Sequence, residues 1–219
     1  MSRVYSMAVH LRPAGRLPIV AAAFAVLTGL VALGATTALD DAVLSAILPL
    51  RNPTLDQVVQ LVTLLGGPIV SAAIAIGLTF FLVARDPRGM YVALLFAAGI
   101  AMEYTLKQLV LQPGPPSEYV RDAVLFVSLR DLAPYTYPSG HVMRVTFLAS
   151  VLVSRYPRLA LPAYAVAALV ALGRLYLAAG WLSDMAGGLL AGLLLAAVAE
   201  LIRARAASPR RARAVLVSP

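Results

Sequence analysis

Long apolar runs alternate with short polar interruptions along this chain. Six runs can be drawn, at roughly 17–39, 58–84, 89–111, 140–154, 159–179 and 183–202. Most are long enough to cross a hydrocarbon core as helices of ~20 residues. The fourth, HVMRVTFLASVLVS, is short and carries Arg144, so it is not expected to face lipid along its whole length. Between the first two runs, DDAVLSAILPLRNPTLDQVV reads as a short amphipathic segment at the membrane interface. The first run has a basic start and ends in GATTA, which imitates a signal peptide. Its apolar stretch exceeds the usual signal core, and it is read as a retained helix. The pattern predicts an all-α polytopic membrane protein with six transmembrane helices. One membrane domain at 17–202 is expected between a tail at 1–16 and a basic tail at 203–219. Gly188 and Gly192, spaced for close helix approach, are a packing feature.

Composition strengthens this picture. Of 219 residues, 61% are hydrophobic and 13% charged, too few charges to cover a solvated surface. There is no cysteine and there are only two histidines, His10 and His141, which disfavours a metal site. No cofactor is implied. The net charge of +8 does not point to nucleic acid, because the arginines lie between apolar runs and in the tail. Arg3, Arg12 and Arg16 precede the first run, Arg85 and Arg88 follow the second, and Arg155 and Arg158 follow the fourth. With six spans all of these fall on one side, which the positive-inside rule makes cytoplasmic. The expectation is a multi-pass plasma-membrane protein with both termini in the cytoplasm. The connections at 40–57, 112–139 and 180–183 then lie outside.

Ionisable residues at membrane depth are costly and therefore candidates for function. Lys107, His141, Arg144, Arg174 and Asp184 are such residues, and Glu103 lies one turn before Lys107. Six-span topology brings the first five to the outer face from four different helices. Each has a bland alternative: Glu103 and Lys107 could pair at i,i+4, Asp184 could cap the sixth helix beside Ser183, and Arg174 could snorkel. Their convergence beside YPSGH is harder to explain that way. Guanidinium and ammonium groups suit a tetrahedral oxyanion. Ser139 and Gly140 open a helix whose N–H groups point at a bound anion, and histidine can protonate a leaving oxygen.

In these residues the chain resembles the type 2 phosphatidic acid phosphatases, the PAP2 superfamily, whose motifs are KxxxxxxRP, PSGH and SRxxxxxHxxxD. The first appears as KQLVLQPGP, with Lys107 and Pro115 matching and Gly114 at the arginine position. The second, Pro138-Ser139-Gly140-His141, is intact. The third appears as GRLYLAAGWLSD: Arg174 and Asp184 match, Gly173 replaces the serine, and Gly180 replaces the histidine. The resemblance implies a six-helix bundle and a lipid phosphatase. The third-motif histidine would attack phosphorus, oriented by the aspartate, and the PSGH histidine would protonate the leaving group. The lysine and arginines would hold the phosphate. Carried over, His141 is the acid, Asp184 the orienting carboxylate, and Lys107, Ser139, Gly140 and Arg174 the remaining cradle.

The two glycines decide what is expected of activity. His10 falls on the far side of the membrane and cannot replace the nucleophile. Losing a central nucleophile costs on the order of a millionfold in rate. Three readings follow: a protein that binds a lipid phosphate or pyrophosphate without cleaving it, as carrier, sensor or transport-related subunit; a hydrolase using water, with His141 as acid; and a relic. Arg144, three residues after His141, is expected to supply the charge missing at Gly114, with a buried pair to Glu103 or Asp184 as the alternative. Arg121 and Arg130 are weaker candidates for the same task. The expected partner is a membrane lipid with a phosphate headgroup, such as phosphatidic acid, phosphatidylglycerol phosphate or a polyprenyl (pyro)phosphate.

Overall fold

The computed structural model describes residues 13–121 and 134–216; Arg3, His10, Arg12 and Arg130 lie outside the described residues. Among the described residues eight α-helices follow one another: α1 Pro13–Ala32, α2 Thr37–Ile47, α3 Pro53–Thr63, α4 Pro68–Val83, α5 Tyr91–Val110, α6 Gly140–Arg155, α7 Ala160–Tyr176 and α8 Leu182–Leu216. Prolines open several of them, where a missing N–H costs no hydrogen bond. At α3, Asn52 also caps the helix, its Oδ1 accepting from the Leu55 N–H at 2.9 Å.

Among the described residues four helical stretches are long and apolar enough to cross a membrane: Gly15–Ala32, Pro87–Val110, Pro157–Tyr176 and Leu182–Arg205. A fifth arises if α3 and α4, bent by 43° at Gly66–Pro68, form one broken span. The remaining expected run, the fourth, is α6, with only 16 residues, and it occupies the centre. Val142 to Val151 of α6 are all buried, so this helix has little surface left for lipid. By contrast Phe80, Leu94, Leu109, Leu161 and Leu172 are more than half exposed. So much outward apolar surface suits a hydrocarbon environment.

Three boundaries differ from the sequence pattern. The run at 17–39 ends as a helix at Ala32, where Gly34 takes a positive φ of 70°, and a new helix starts at Thr37. The run at 58–84 is interrupted by a 3-10 turn at Leu64–Gly66. The basic tail begins inside α8, which continues without a break past 203.

The core is the contact of α6 with α8. A Cβ on Gly192 would lie 2.6 Å from the Met143 carbonyl oxygen and 2.7 Å from Thr146 Cβ. Hydrogen at these positions is what lets the two backbones approach. Met143, Phe147, Phe96 and Leu195 fill the space around this contact. Helix α7 lies against α3, where a Cβ on Gly173 would meet Thr63 and Val59 side chains at 2.8 and 3.0 Å. A serine at 173 would need the Thr63 and Val59 side chains to shift.

Candidate active site

The chain leaves α5 shortly after Lys107, enters α6 at Gly140, leaves α7 after Arg174 and enters α8 before Asp184. Antiparallel packing therefore brings these helix ends to one end of the bundle. Lys107, Arg144 and Arg174 are all close enough to interact electrostatically with His141. The convergence expected from topology is present.

Each charged group has internal partners. Lys107 Nζ donates to the carbonyls of Tyr135 and Thr136, both at 3.1 Å, and lies 3.9 Å from Glu103 Oε1. Arg174 donates through Nη2 to the Ala179 carbonyl at 3.1 Å, closing the turn after α7. Asp184 is wholly buried; its Oδ2 accepts the Trp181 N–H at 2.7 Å, and its Oδ1 has no hydrogen-bond partner. The Asp184 carbonyl accepts the Ser139 N–H at 3.0 Å, which ties the start of α8 to the start of α6. His141 faces the break between α3 and α4: a Cβ on Gly67 would stand 3.8 Å from its Nε2. Gly66 is pressed on the His141 backbone, where a Cβ would come within 2.7 Å of the carbonyl oxygen.

Gly180 sits directly beside the aspartate. A Cβ there would be 2.9 Å from Asp184 Oδ2 and 2.8 Å from the Met185 methyl group. A side chain at 180 would thus start against the carboxylate, and the end of Met185 fills that space. Two non-glycine residues with left-handed backbone flank the site, Leu111 at the end of α5 with φ 54° and Ala178 beyond α7 with φ 49°. Such conformations cost about 1–2 kcal/mol each. Here they turn the chain away directly after the helices that carry Lys107 and Arg174.

Arg144 does not follow the leading expectation. Its guanidinium is buried, with Nη1 donating to Glu103 Oε2 at 2.6 Å and Nε to the Gly66 carbonyl at 3.1 Å. It forms the buried pair that was the alternative, because an unpaired guanidinium at this depth would be far costlier than one beside a carboxylate. Glu103 also crowds α6 so closely that any Cβ on Gly140 would collide with its carboxylate. Arg121 makes a 2.8 Å ion pair with Asp56 instead of turning to the cradle.

The structure adds residues the sequence reading passed over. Asp40 of α2 is 2% exposed and accepts both the Ser183 N–H at 2.8 Å and the Ser183 hydroxyl at 2.7 Å. Gln112 donates to the same hydroxyl at 3.1 Å. The signal was present, since Asp40, Leu44 and Ile47 share one helical face and the other two are apolar. Tyr137 is fully buried, and its hydroxyl shares a 2.8 Å hydrogen bond with Thr28 of α1. Burial pushes this phenol above its ordinary range, so it stays neutral.

The geometry agrees with comparison to known proteins. The family model described as the PAP2 superfamily matches residues 88–207, more than half of the chain and all four helices that carry the site. The chain belongs to the PAP2 superfamily. It is 26% identical over 185 residues to phosphatidylglycerophosphatase B of Bacillus subtilis (strain 168), covering 78% of this chain and 87% of that protein. Its fold is similar to the crystal structure of a transmembrane PAP2-type phosphatidylglycerolphosphate phosphatase from Bacillus subtilis. The TM-score is 0.67 at 24% identity, covering 88% of this chain and 96% of the other. As a PAP2 protein with several apolar helices, the chain is a multi-pass membrane protein.

Proposed function

We propose that this PAP2 protein binds the phosphate or pyrophosphate group of a membrane lipid at the extracytoplasmic face and does not cleave it through a phosphohistidine. The observation that carries this reading is Gly180, which touches the carboxylate of Asp184 where an oriented imidazole would be needed. His141 is the only histidine among the described residues, and it belongs to the acid position of the PSGH motif. Lys107, Arg174, Ser139, Gly140 and the start of α6 would receive the anion. Lys107 would exchange its two carbonyl partners for phosphate oxygens, a neutral acceptor for an anionic one. Arg144 and Glu103 would act as a fixed base beneath this cradle. The relatives named for phosphatidylglycerophosphate suggest a glycerophospholipid monophosphate as the first ligand to try.

One observation favours a second reading. Asp184 is buried, and its Oδ2 borders the side-chain space at 180, where a Cβ would stand 2.9 Å away. A water held there would lose a proton to Asp184 as its oxygen bonds to phosphorus. The ester P–O bond would break, and His141 would protonate the departing oxygen. The deciding test is phosphate release by the purified protein in lipid micelles, across lipid monophosphates and pyrophosphates, with Gly180→His and His141→Ala alongside. Binding without cleavage predicts silence for the unaltered protein, thermal stabilisation by lipid phosphate or vanadate, and release awakened by Gly180→His. Turnover by the unaltered protein that His141→Ala abolishes would overturn it in favour of the water route.

A further inference from the structure

Arg51 lies between α2 and α3, and its neighbour Asn52 donates to Tyr176 at the end of α7. Its Nη1 donates to the Tyr119 carbonyl at 2.5 Å. Its Nε and Nη2 are closed off from solvent and have no hydrogen-bond partner. These two nitrogens form the side-on edge of the guanidinium, the edge that engages a carboxylate or phosphate through two parallel bonds. The side chain as a whole is partly exposed, but these two shielded nitrogens have neither water nor protein to bond, which is costly and indicates a missing partner.

The surroundings are built and cationic. Arg121 is close enough to Arg51 to repel it. The Arg121 backbone is pinned from two sides: its N–H donates to the Leu177 carbonyl at 2.9 Å, and its own carbonyl accepts from Gln60 Nε2 at 2.7 Å. The Tyr176 hydroxyl accepts the Asn52 N–H at 2.9 Å, beside Arg51. Asp56 is the one carboxylate here among the described residues. Its Oδ2 is paired with Arg121 at 2.8 Å, and its Oδ1 is also buried without a partner. Among the described residues, two guanidiniums face one carboxylate. The Arg51 fork is not taken by Asp56 although the two interact.

We propose that Arg51 and Arg121 form a second oxyanion site, separate from the cradle, that takes a single phosphate group such as the phosphodiester of a membrane phospholipid. Arg51 supplies the bidentate fork from within, and the more exposed Arg121 closes over the anion from the rim. Such a site would anchor the α2–α3 segment to the headgroup layer. This inference does not depend on the reading of Gly180.

The test counts phospholipid retained by the purified full-length protein in native mass spectrometry, using phosphatidylglycerol, with thermal stabilisation by phosphatidylglycerol and by inorganic phosphate measured in parallel. Arg51→Ala and Arg51→Lys should each lose one retained lipid or weaken it about tenfold, since lysine keeps the charge but not the fork. Asp56→Asn removes the competing carboxylate and should tighten retention. Lys107→Ala disables the cradle and should leave the Arg51-dependent lipid in place. Stabilisation by inorganic phosphate alone that needs Arg51 would assign the same site to free phosphate. Equal retention and equal stabilisation in the unaltered protein and both Arg51 variants would overturn the proposal. So would loss of binding in Asp56→Asn, which would make Arg51 merely the internal partner of Asp56.

Discussion

Arg144 and Glu103 illustrate what a buried charge demands of its neighbours. Neither is more than 6% exposed, and their 2.6 Å contact is supplemented by the Gly66 carbonyl and the nearby Lys107. Removing one partner leaves the other charged and unpaired, which typically costs about 3–5 kcal/mol. Glu103→Gln should therefore lower the thermal midpoint in detergent sharply. The double change Glu103→Leu with Arg144→Met should recover most of it, because an apolar pair of similar volume needs no compensation. If Glu103→Gln proves neutral, the pair is not the fixed base that the cradle rests on. The pairing also explains why residue type alone misled. Arg144 sits one turn from His141, and spacing shows proximity to the site without showing which way a long flexible side chain turns.

At the scale of elements, the site depends on how α8 begins. Its first turn is held by Asp40 from α2, by Asp184 closing on Trp181, and by the Ser139 N–H reaching the Asp184 carbonyl. Asp40→Ala removes two hydrogen bonds from a buried serine, with an expected loss of about 1–3 kcal/mol. A double-mutant cycle with Ser183→Ala, read by thermal unfolding, should show that most of this loss is shared between the two residues. Additive losses would mean that Asp40 stabilises α2 rather than the site. Much of this frame is legible in the chain: the apolar runs, the central short helix, the small residues at 188 and 192, and the four helix ends that meet. The joints are less legible. The break at Gly66–Pro68 lies within a continuous apolar run, and hydrophobic periodicity does not register a 3-10 turn buried against His141. Asp40 follows the same logic, because an acid next to another acid in an amphipathic segment reads as a solvated face. Only the packed neighbour, the buried N-terminus of α8 at Ser183, gives it a different role.

For the molecule as a whole, the remaining question is which leaflet the site serves. Arg85, Arg88, Arg155 and Arg158 lie at the end opposite the cradle, in the connections between α4 and α5 and between α6 and α7. The outward orientation proposed for the cradle, and with it Arg51, is the one the positive-inside rule would favour. A lipid in the outer leaflet would present its phosphate to Lys107 without crossing the membrane. The absence of native cysteine makes this directly measurable. Ser117 is exposed in the turn whose Tyr119 carbonyl receives Arg51, and Pro157 is exposed in the turn before α7. In intact cells, a membrane-impermeant maleimide should label Ser117→Cys, and Pro157→Cys should react only after permeabilisation. The reverse pattern would place the site in the cytoplasm and confine its ligands to the inner leaflet. It would also require the four arginines to lie outside against the usual charge bias. The end that carries Lys107, Arg174 and Arg51 would then meet the more anionic leaflet, and Arg51 would be occupied by abundant bulk lipid rather than by a scarce one.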